Sequence, residues 1–230
     1  MPGDINIAAV AALFADTTRI NILVTLSDGR ALPAGELARA ARVSPSTASL
    51  HLAKLVEGQL LIVEQQGRHR YFRLAHPAIV SMLEELSLFA PDKPIHSLRE
   101  ATSGDAVRRA RMCYNHLAGR LGVQLTRTLL EKQILCEVDE GYNVSEYGRH
   151  WLDAFGLDGS LLKQTQLIFV PRHIDWSERY HHCAGALGAA LAQQFFARNW
   201  LKRIPTSRAV SVTEIGKQAL LDEFGLQWNG

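Results

Sequence analysis

Ser44-Pro45-Ser46-Thr47-Ala48-Ser49-Leu50-His51-Leu52-Ala53-Lys54-Leu55 is the stretch that decides how this 230-residue chain is read. Ser44 is an N-cap by type. Pro45 fits the first helical position, where its missing N–H costs no bond. Ala48, Leu52 and Leu55 recur at helical spacing and form a buried stripe. Ser46, Thr47, Ser49 and Leu50 face the other way, around the helix N-terminus. Short hydroxyls there can touch base edges and phosphates while the backbone comes close. His51 and Lys54 extend that face toward flanking phosphates.

Upstream, Ile5 to Ser27 reads as helix, with a fresh N-cap at Asp16-Thr17. Pro33 leads into a short helix, Ala34 to Ala41, with Leu37 and Ala38 inward. Downstream, Leu60 to Glu64 is β-prone, Gln65-Gln66-Gly67-Arg68 is a turn, and His69 to Leu74 is a second strand. The hairpin carries Arg68 and Arg70 near its tip. A basic hairpin behind a helix-turn-helix is a wing, suited to phosphates or the minor groove. Pro77 to Ala90 is a further amphipathic helix, with Ile79, Met82, Leu83 and Leu86 as its stripe.

Three motifs in order carry a resemblance: Ala15-Asp16-Thr17-Thr18-Arg19-Ile20-Asn21-Ile22-Leu23, Val43 to Leu55, and Gly67-Arg68-His69-Arg70-Tyr71-Phe72. Together they resemble the ArsR-type winged-helix repressors over roughly the first 90 residues. The resemblance implies a homodimer on a palindromic double-stranded operator, repressing until an effector releases it. It implies DNA contacts from Ser44, Ser46, Thr47, Ser49, Leu50, His51, Lys54, Arg68 and Arg70. Leu50 departs from the family, which more often has a polar or basic residue there. Metal-sensing members carry cysteines before the recognition helix, where this chain has Glu36-Leu37-Ala38-Arg39-Ala40-Ala41-Arg42. Others use Asp, His and Glu pairs after the wing, where this chain offers only His76, Glu84 and Glu85. The sensor is therefore expected elsewhere.

Composition sets wider bounds. Apolar residues make up 47% and charged residues 21%, which excludes a disordered chain. No apolar run spans a bilayer, and Met1 to Ala15 lacks a signal-peptide pattern, so a cytoplasmic protein without a membrane partner is expected. Three widely spaced cysteines argue against a disulfide framework. The net charge is only +2, so a nucleic-acid interface rests on where charges sit.

The second half repeats itself. Tyr114-Asn115-His116-Leu117-Ala118-Gly119-Arg120-Leu121-Gly122 matches Tyr180-His181-His182-Cys183-Ala184-Gly185-Ala186-Leu187-Gly188. Val144-Ser145-Glu146-Tyr147-Gly148 matches Val212-Thr213-Glu214-Ile215-Gly216, and Phe155-Gly156-Leu157 matches Phe224-Gly225-Leu226. The offset drifts only from 66 to 69 residues. The expected fold is mainly α with small β-hairpins: a winged helix-turn-helix domain over 1–92, a linker over 93–108, and a C-terminal α+β domain over 109–230. Its repeats span 109–158 and 177–227, each read as long helix, hairpin and capped helix, with Ser145 and Thr213 as caps. Larger ArsR-type regulators resemble this half too, without supplying an effector.

Several effector chemistries stay open. Cys113 and His116, three apart on one helical face, can converge with His182 and His173 on a metal if the repeats face each other. Cys113 and Cys183 offer a redox pair. Tyr114, Trp176 and Tyr180, with Trp151, Trp200, Phe195 and Phe196, offer an organic-ligand pocket. The repeats can also serve dimerisation alone, and the sequence requires no cofactor. His116 and His182 with Glu178 or Asp175 are the one acid–base set. No phosphate-binding glycine loop, nucleophile elbow or metalloprotease helix accompanies them, so a regulator rather than an enzyme is expected.

Overall fold

The computed structural model describes residues 5–91, 94, 97–157, 169–205 and 207–229. They fall into two compact units, Met1–Leu83 and Glu84–Gly230.

In the first unit Asn6 caps α1 (Ile7–Phe14) and Asp16 caps α2 (Thr17–Thr25). The Arg19 guanidinium donates to the Leu13 and Ala12 carbonyls, which fixes the bend between the two helices. A short strand β1 (Leu32–Pro33) precedes α3 (Ala34–Ala41), and Arg42 closes α3 in the left-handed region at φ 57°. Then come α4 (Pro45–Glu57), β2 (Leu61–Gln66) and β3 (His69–Leu74). The strands form one antiparallel sheet, ordered β1-β3-β2, with Leu61 opposite Leu74 and Gln66 opposite His69. Strand β1 was not read from the sequence, since two residues carry no periodicity; Leu32 pairs with Phe72. Ile22, Leu23, Leu37, Ala48, Leu52, Leu55, Leu61 and Phe72 make the core. Each large apolar side chain there contributes about 1.5–3 kcal/mol relative to exposure. Helix α5 (Ala78–Phe89) runs through the boundary between the units.

In the second unit α6 (Leu98–Arg109) occupies most of the expected linker, which is a correction. Ser97 caps it, Glu100 lies in its first turn and Arg108 and Arg109 in its last, a charge order that favours helix. Ser103 and Gly104 are both exposed within it, where a helix tolerates them. Of the linker's first residues, 93, 95 and 96 lie outside the described residues.

The repeats follow: β4 (Arg111–Cys113), β5 (His116–Ala118), α7 (Gly119–Glu131), β6 (Leu135–Val138), β7 (Gly141–Val144) and α8 (Glu146–Ala154), then β8 (Phe169–Ile174), β9 (His181–Cys183), α9 (Gly185–Ala197), β10 (Leu201–Arg203), β11 (Val210–Val212) and α10 (Glu214–Phe224). Each repeat therefore opens on a hairpin ahead of its long helix. Cys113 and His116 sit on paired strands rather than on one helical face. Strands of three residues are too short to show an alternating pattern. The second repeat begins at β8, ahead of residue 177; residue 158 lies outside the described residues.

The first hairpin of each repeat docks on the other repeat. Strand β8 pairs with β7, with Gly141 opposite Pro171. Strand β4 bridges Arg111 to Ala209, and the Val210 N–H donates to the Ala110 carbonyl at 3.0 Å. The expected caps are present. Ser145 Oγ accepts from the Gly148 N–H at 2.8 Å, and Thr213 Oγ1 from the Gly216 N–H at 2.9 Å. One core joins both repeats, including Leu121, Leu125, Leu187, Leu191, Phe195 and Phe224.

Candidate nucleic-acid interface and a buried histidine centre

Helix α4 starts as its sequence demands. Ser44 Oγ accepts from the Thr47 N–H at 3.1 Å and lies 2.9 Å from the hydroxyls of Ser46 and Thr47. Ser49 Oγ donates to the Pro45 carbonyl at 2.9 Å. Ser44, Ser46, Ser49 and Lys54 are exposed and Thr47 is half-buried. Leu50 is 68% exposed on the same helix, against the usual fate of a leucine. These hydroxyls, at the positive end of the helix dipole, make a helix N-terminus that accepts anions.

His51 is a correction. Its ring is half-buried and its Nδ1 lies 3.4 Å from Asp16 Oδ1. The Arg19 N–H bond, followed by His51, holds the Asp16 carboxyl below its usual range. His51 Nδ1 therefore faces the cap of α2, without a hydrogen bond, rather than the exposed face of α4. The four-residue spacing from Thr47 to His51 suggested a shared face but not the inward turn of the ring.

The wing is a two-residue hairpin. Gly67 adopts φ +59° at the first loop position, which glycine fills without strain. Residues 64–70 are all exposed. Arg68 lies in the loop, and the Arg70 guanidinium rests 5.5 Å from the Phe72 ring centre. Arg73 is taken by Glu64. Arg68 and Arg70 are thus the wing's exposed cations without a carboxylate partner among the described residues.

In the second unit, two hairpins bring a second set of residues together. Cys113 and His116 are cross-strand partners on β4 and β5. His173 and His182 are cross-strand partners on β8 and β9. Directly opposed side chains share a face, so each hairpin presents one pair. Both pairs meet at one centre, where one ligating atom from each residue lies within 4.8 Å of the other three. The repeat's own histidines face each other, with His116 Nε2 3.2 Å from His182 Nε2. Gly188 and Gly122 allow this approach. A Cβ on Gly188 would stand 2.9 Å from His116 Cβ, and one on Gly122 2.4 Å from the Leu117 carbonyl oxygen.

Cys113, His116 and His182 are buried and His173 is half-buried. Burial, then the neighbouring histidines, pushes the His116 pKa well down. Burial takes that of His182 down to about 3 against the opposing pull of Asp175. Burial also lowers His173 and raises the Cys113 thiol well above its usual value. The centre is accordingly built of neutral donors. Among its ring nitrogens, Nδ1 of His173 and of His182 are buried without a hydrogen-bond partner.

A charged layer backs the centre, and sequence reading missed it. Arg111 on β4 is wholly buried and donates to Asp175 Oδ2 at 2.8 Å. Burial raises the Asp175 pKa, but Arg111 and the bonds from Ser177 and Gly119 prevail and bring it to about 2. The same oxygen lies 3.9 Å from His182 Nδ1, and Arg111 lies 3.7 Å from the buried Glu84. In the sequence, only the grouping of Asp175 with His116 and His182 as an acid–base set pointed toward this layer.

The other candidates separate. Burial holds Cys183 at about 12 and Cys113 high, opposite to the lowered pKa of reactive thiols. Trp200 and Phe195 are core, with Trp151 stacked on Phe155 at 5.0 Å. Trp176 lies under Arg111 at 4.9 Å, Tyr180 is 69% exposed, and Tyr114 occupies the β4–β5 turn at φ +56°. One cavity in the unit, of about 10 Å³, is lined by Leu117, Leu125, Thr126, Cys183 and Leu191 rather than by these aromatics. It has room for about one water.

Comparison with known proteins agrees with the first unit and extends beyond it. A helix-turn-helix domain family matches residues 14–64. The chain is 42% identical over 214 residues to YdfF of Bacillus subtilis (strain 168), described as an uncharacterized HTH-type transcriptional regulator. The match covers 93% of this chain and 95% of that protein. Among solved structures, NolR from Sinorhizobium fredii is 25% identical, covering 36% of this chain and 82% of its own, with a TM-score of 0.34. HlyU from Vibrio cholerae N16961 is 26% identical, covering 36% and 89%, with a TM-score of 0.34. With a capped hydroxyl-rich helix, a basic wing and a relative matched along nearly its whole length, the chain belongs to the winged helix-turn-helix DNA-binding transcriptional regulators, in the family of YdfF.

Proposed function

We propose that the protein is a cytoplasmic homodimeric repressor that grips a palindromic operator and is released by an effector held in its C-terminal unit. The first turn of α4 enters the major groove, with Ser46, Thr47 and Ser49 nearest the bases and Leu50 placed for a thymine methyl. Arg68 and Arg70 hold flanking phosphates. The observation that carries this reading is the pairing of an exposed, hydroxyl-lined helix N-terminus with an exposed wing whose two cations lack carboxylate partners. Self-association is supported by α1, which is apolar along its length yet has no buried residue. Met82, Leu86 and Phe89 on α5 are likewise exposed. Two-fold proteins suit two-fold operators. The role is regulation rather than catalysis, and three free cysteines suit a reducing compartment.

The test is operator selection from random duplex DNA, then a salt titration of binding. Arg68→Ala with Arg70→Ala weakens binding to selected and unrelated DNA alike. Each lost phosphate contact removes about 0.9 from the salt slope, so a dimer loses about 3 to 4. An unchanged slope would remove the wing from the mechanism. Replacing Ser46 and Ser49 by Leu instead lowers the ratio of selected to unrelated binding at least about tenfold, since one misread base pair costs about 1–3 kcal/mol. Equal losses on both DNAs would show that α4 does not read bases. Light scattering should give twice the chain mass, and a monomer on DNA would sink the dimer.

A further inference from the structure

We propose that Cys113, His116, His173 and His182 bind one divalent cation of the zinc class per chain, and that this ion is the effector of the C-terminal unit. The second half rests on the repressor reading above, but the first half does not.

The geometry carries the site. Four residues of ligating type converge from two hairpins that belong to different repeats. One sulfur and three imidazole nitrogens are a donor set for a tetrahedral ion of borderline softness, not for calcium or magnesium. With metal–sulfur near 2.3 Å and metal–nitrogen near 2.0–2.1 Å, tetrahedral donors stand about 3.3–3.7 Å apart. His116 Nε2 and His182 Nε2, at 3.2 Å, already stand about 0.1 Å closer than that range. The widest separation, 4.8 Å, needs to close by about 1 Å. Hairpins from separate repeats can close by that amount without breaking either strand pair.

The surroundings also suit an ion. A buried imidazole normally has a partner at each ring nitrogen, and here two buried Nδ1 atoms have none. Asp175, held by Arg111 and by the Gly119 and Ser177 N–H groups, lies 3.9 Å from His182 Nδ1. On closing by about 1 Å that carboxylate would accept from His182 Nδ1–H and leave the Nε2 lone pair for the centre, the usual support of a metal-bound histidine. Binding balances simply. The ion takes the Cys113 sulfur and three neutral imidazoles, the thiol proton leaves to solvent, and no electron moves. Four protein ligands leave no open position, so the site senses or stiffens rather than catalyses. Filling it draws together β4–β5 and β8–β9, and with them the two repeats.

The experiment uses the full-length, tag-free protein, stripped with chelator under reducing conditions and titrated with cobalt(II). The expected result is one ion per chain, with a sulfur-to-cobalt charge-transfer band and the visible bands of a tetrahedral ion. Zinc(II) should bleach both. Cys113→Ser abolishes the charge-transfer band, whereas Cys136→Ser, at an exposed cysteine, keeps it. His116→Gln or His182→Gln lowers cobalt affinity about 100-fold or more, since loss of a supporting partner alone costs 10–100-fold. Should these variants fail to fold, X-ray absorption of the zinc-loaded wild type decides, with one sulfur and three nitrogens expected. Octahedral cobalt bands, a charge-transfer band that survives in Cys113→Ser, or a sulfur-free shell would overturn the site. The effector role is read separately, as at least a tenfold change in operator affinity on zinc addition that Cys113→Ser removes. Stoichiometric zinc with unchanged operator affinity would overturn that role and leave the site standing.

Discussion

Replacing Arg111 by Met lowers stability by about 3–5 kcal/mol, because it leaves the buried Asp175 without its ion-pair partner. Arg111 has no solvent exposure and ion-pairs with Asp175, itself fully buried. It also donates to Ser177 Oγ at 3.2 Å, stacks on Trp176 and lies 3.7 Å from Glu84. Met fills much of the same volume, so the loss reports charge rather than a cavity. Asp175 keeps its bonds from the Gly119, Ser177 and Glu178 N–H groups, which cannot replace a cation. Adding Asp175→Asn to Arg111→Met should recover part of the loss, because the residual buried charge is gone. Chemical denaturation of the four members of this cycle measures the coupling, expected above about 1 kcal/mol. A cost below about 1 kcal/mol for Arg111→Met alone would show that the pair is screened by water.

What the sequence made legible was local. Ser44, Ser145 and Thr213 cap helices with their own side chains, and Gly67 turns the wing; such features need no distant partner to be recognised. The core faces of α3 and α4 follow from spacing alone. What stayed hidden depends on residues far apart in the chain. Matching the repeats by a constant offset sets Cys113 against Arg179, because it ignores the loops. The β4–β5 hairpin turns in two residues, whereas β8 and β9 are joined by residues 175–180. In the fold, the partner of Cys113 across its hairpin is His116, and the place of Cys113 is taken in the second hairpin by His173. Nothing local to Arg111 says that Asp175 and Glu84 will surround it. The inward turn of His51 was unreadable for the same reason: Asp16 lies 35 positions earlier.

The repeated Ser/Thr-Glu-x-Gly turn yields the second large effect. Gly148→Ala and Gly216→Ala each cost about 2–3 kcal/mol, although alanine is the better helix former by about 1 kcal/mol. Both glycines lie in the first turn of a helix, α8 or α10, with ordinary negative φ, so backbone strain is not the cause. The cause is contact. A Cβ on Gly148 would stand 2.1 Å from the Ile134 carbonyl oxygen, and one on Gly216 2.1 Å from that of Trp200. Neither carbonyl can step aside, because each accepts the cap residue's N–H, Ser145 at 3.0 Å and Thr213 at 2.9 Å. The cap hydroxyls also donate to the preceding residues, Gln133 and Asn199. Relief requires lifting the helix start off the hairpin, an overpacking cost of about 1–3 kcal/mol or more added to the lost cap bonds. Gly104→Ala is the control. It lies in α6 with nothing within 4 Å of the added methyl, and should gain about 0.5–1 kcal/mol. Thermal unfolding of the three variants separates the two cases. If Gly148→Ala and Gly216→Ala behaved like Gly104→Ala, close packing would not be the reason the turn repeats. Equal losses in both repeats would mean that the duplicated motif is kept by backbone contact, while the chemistry of the unit sits in the hairpins, where the repeats have diverged.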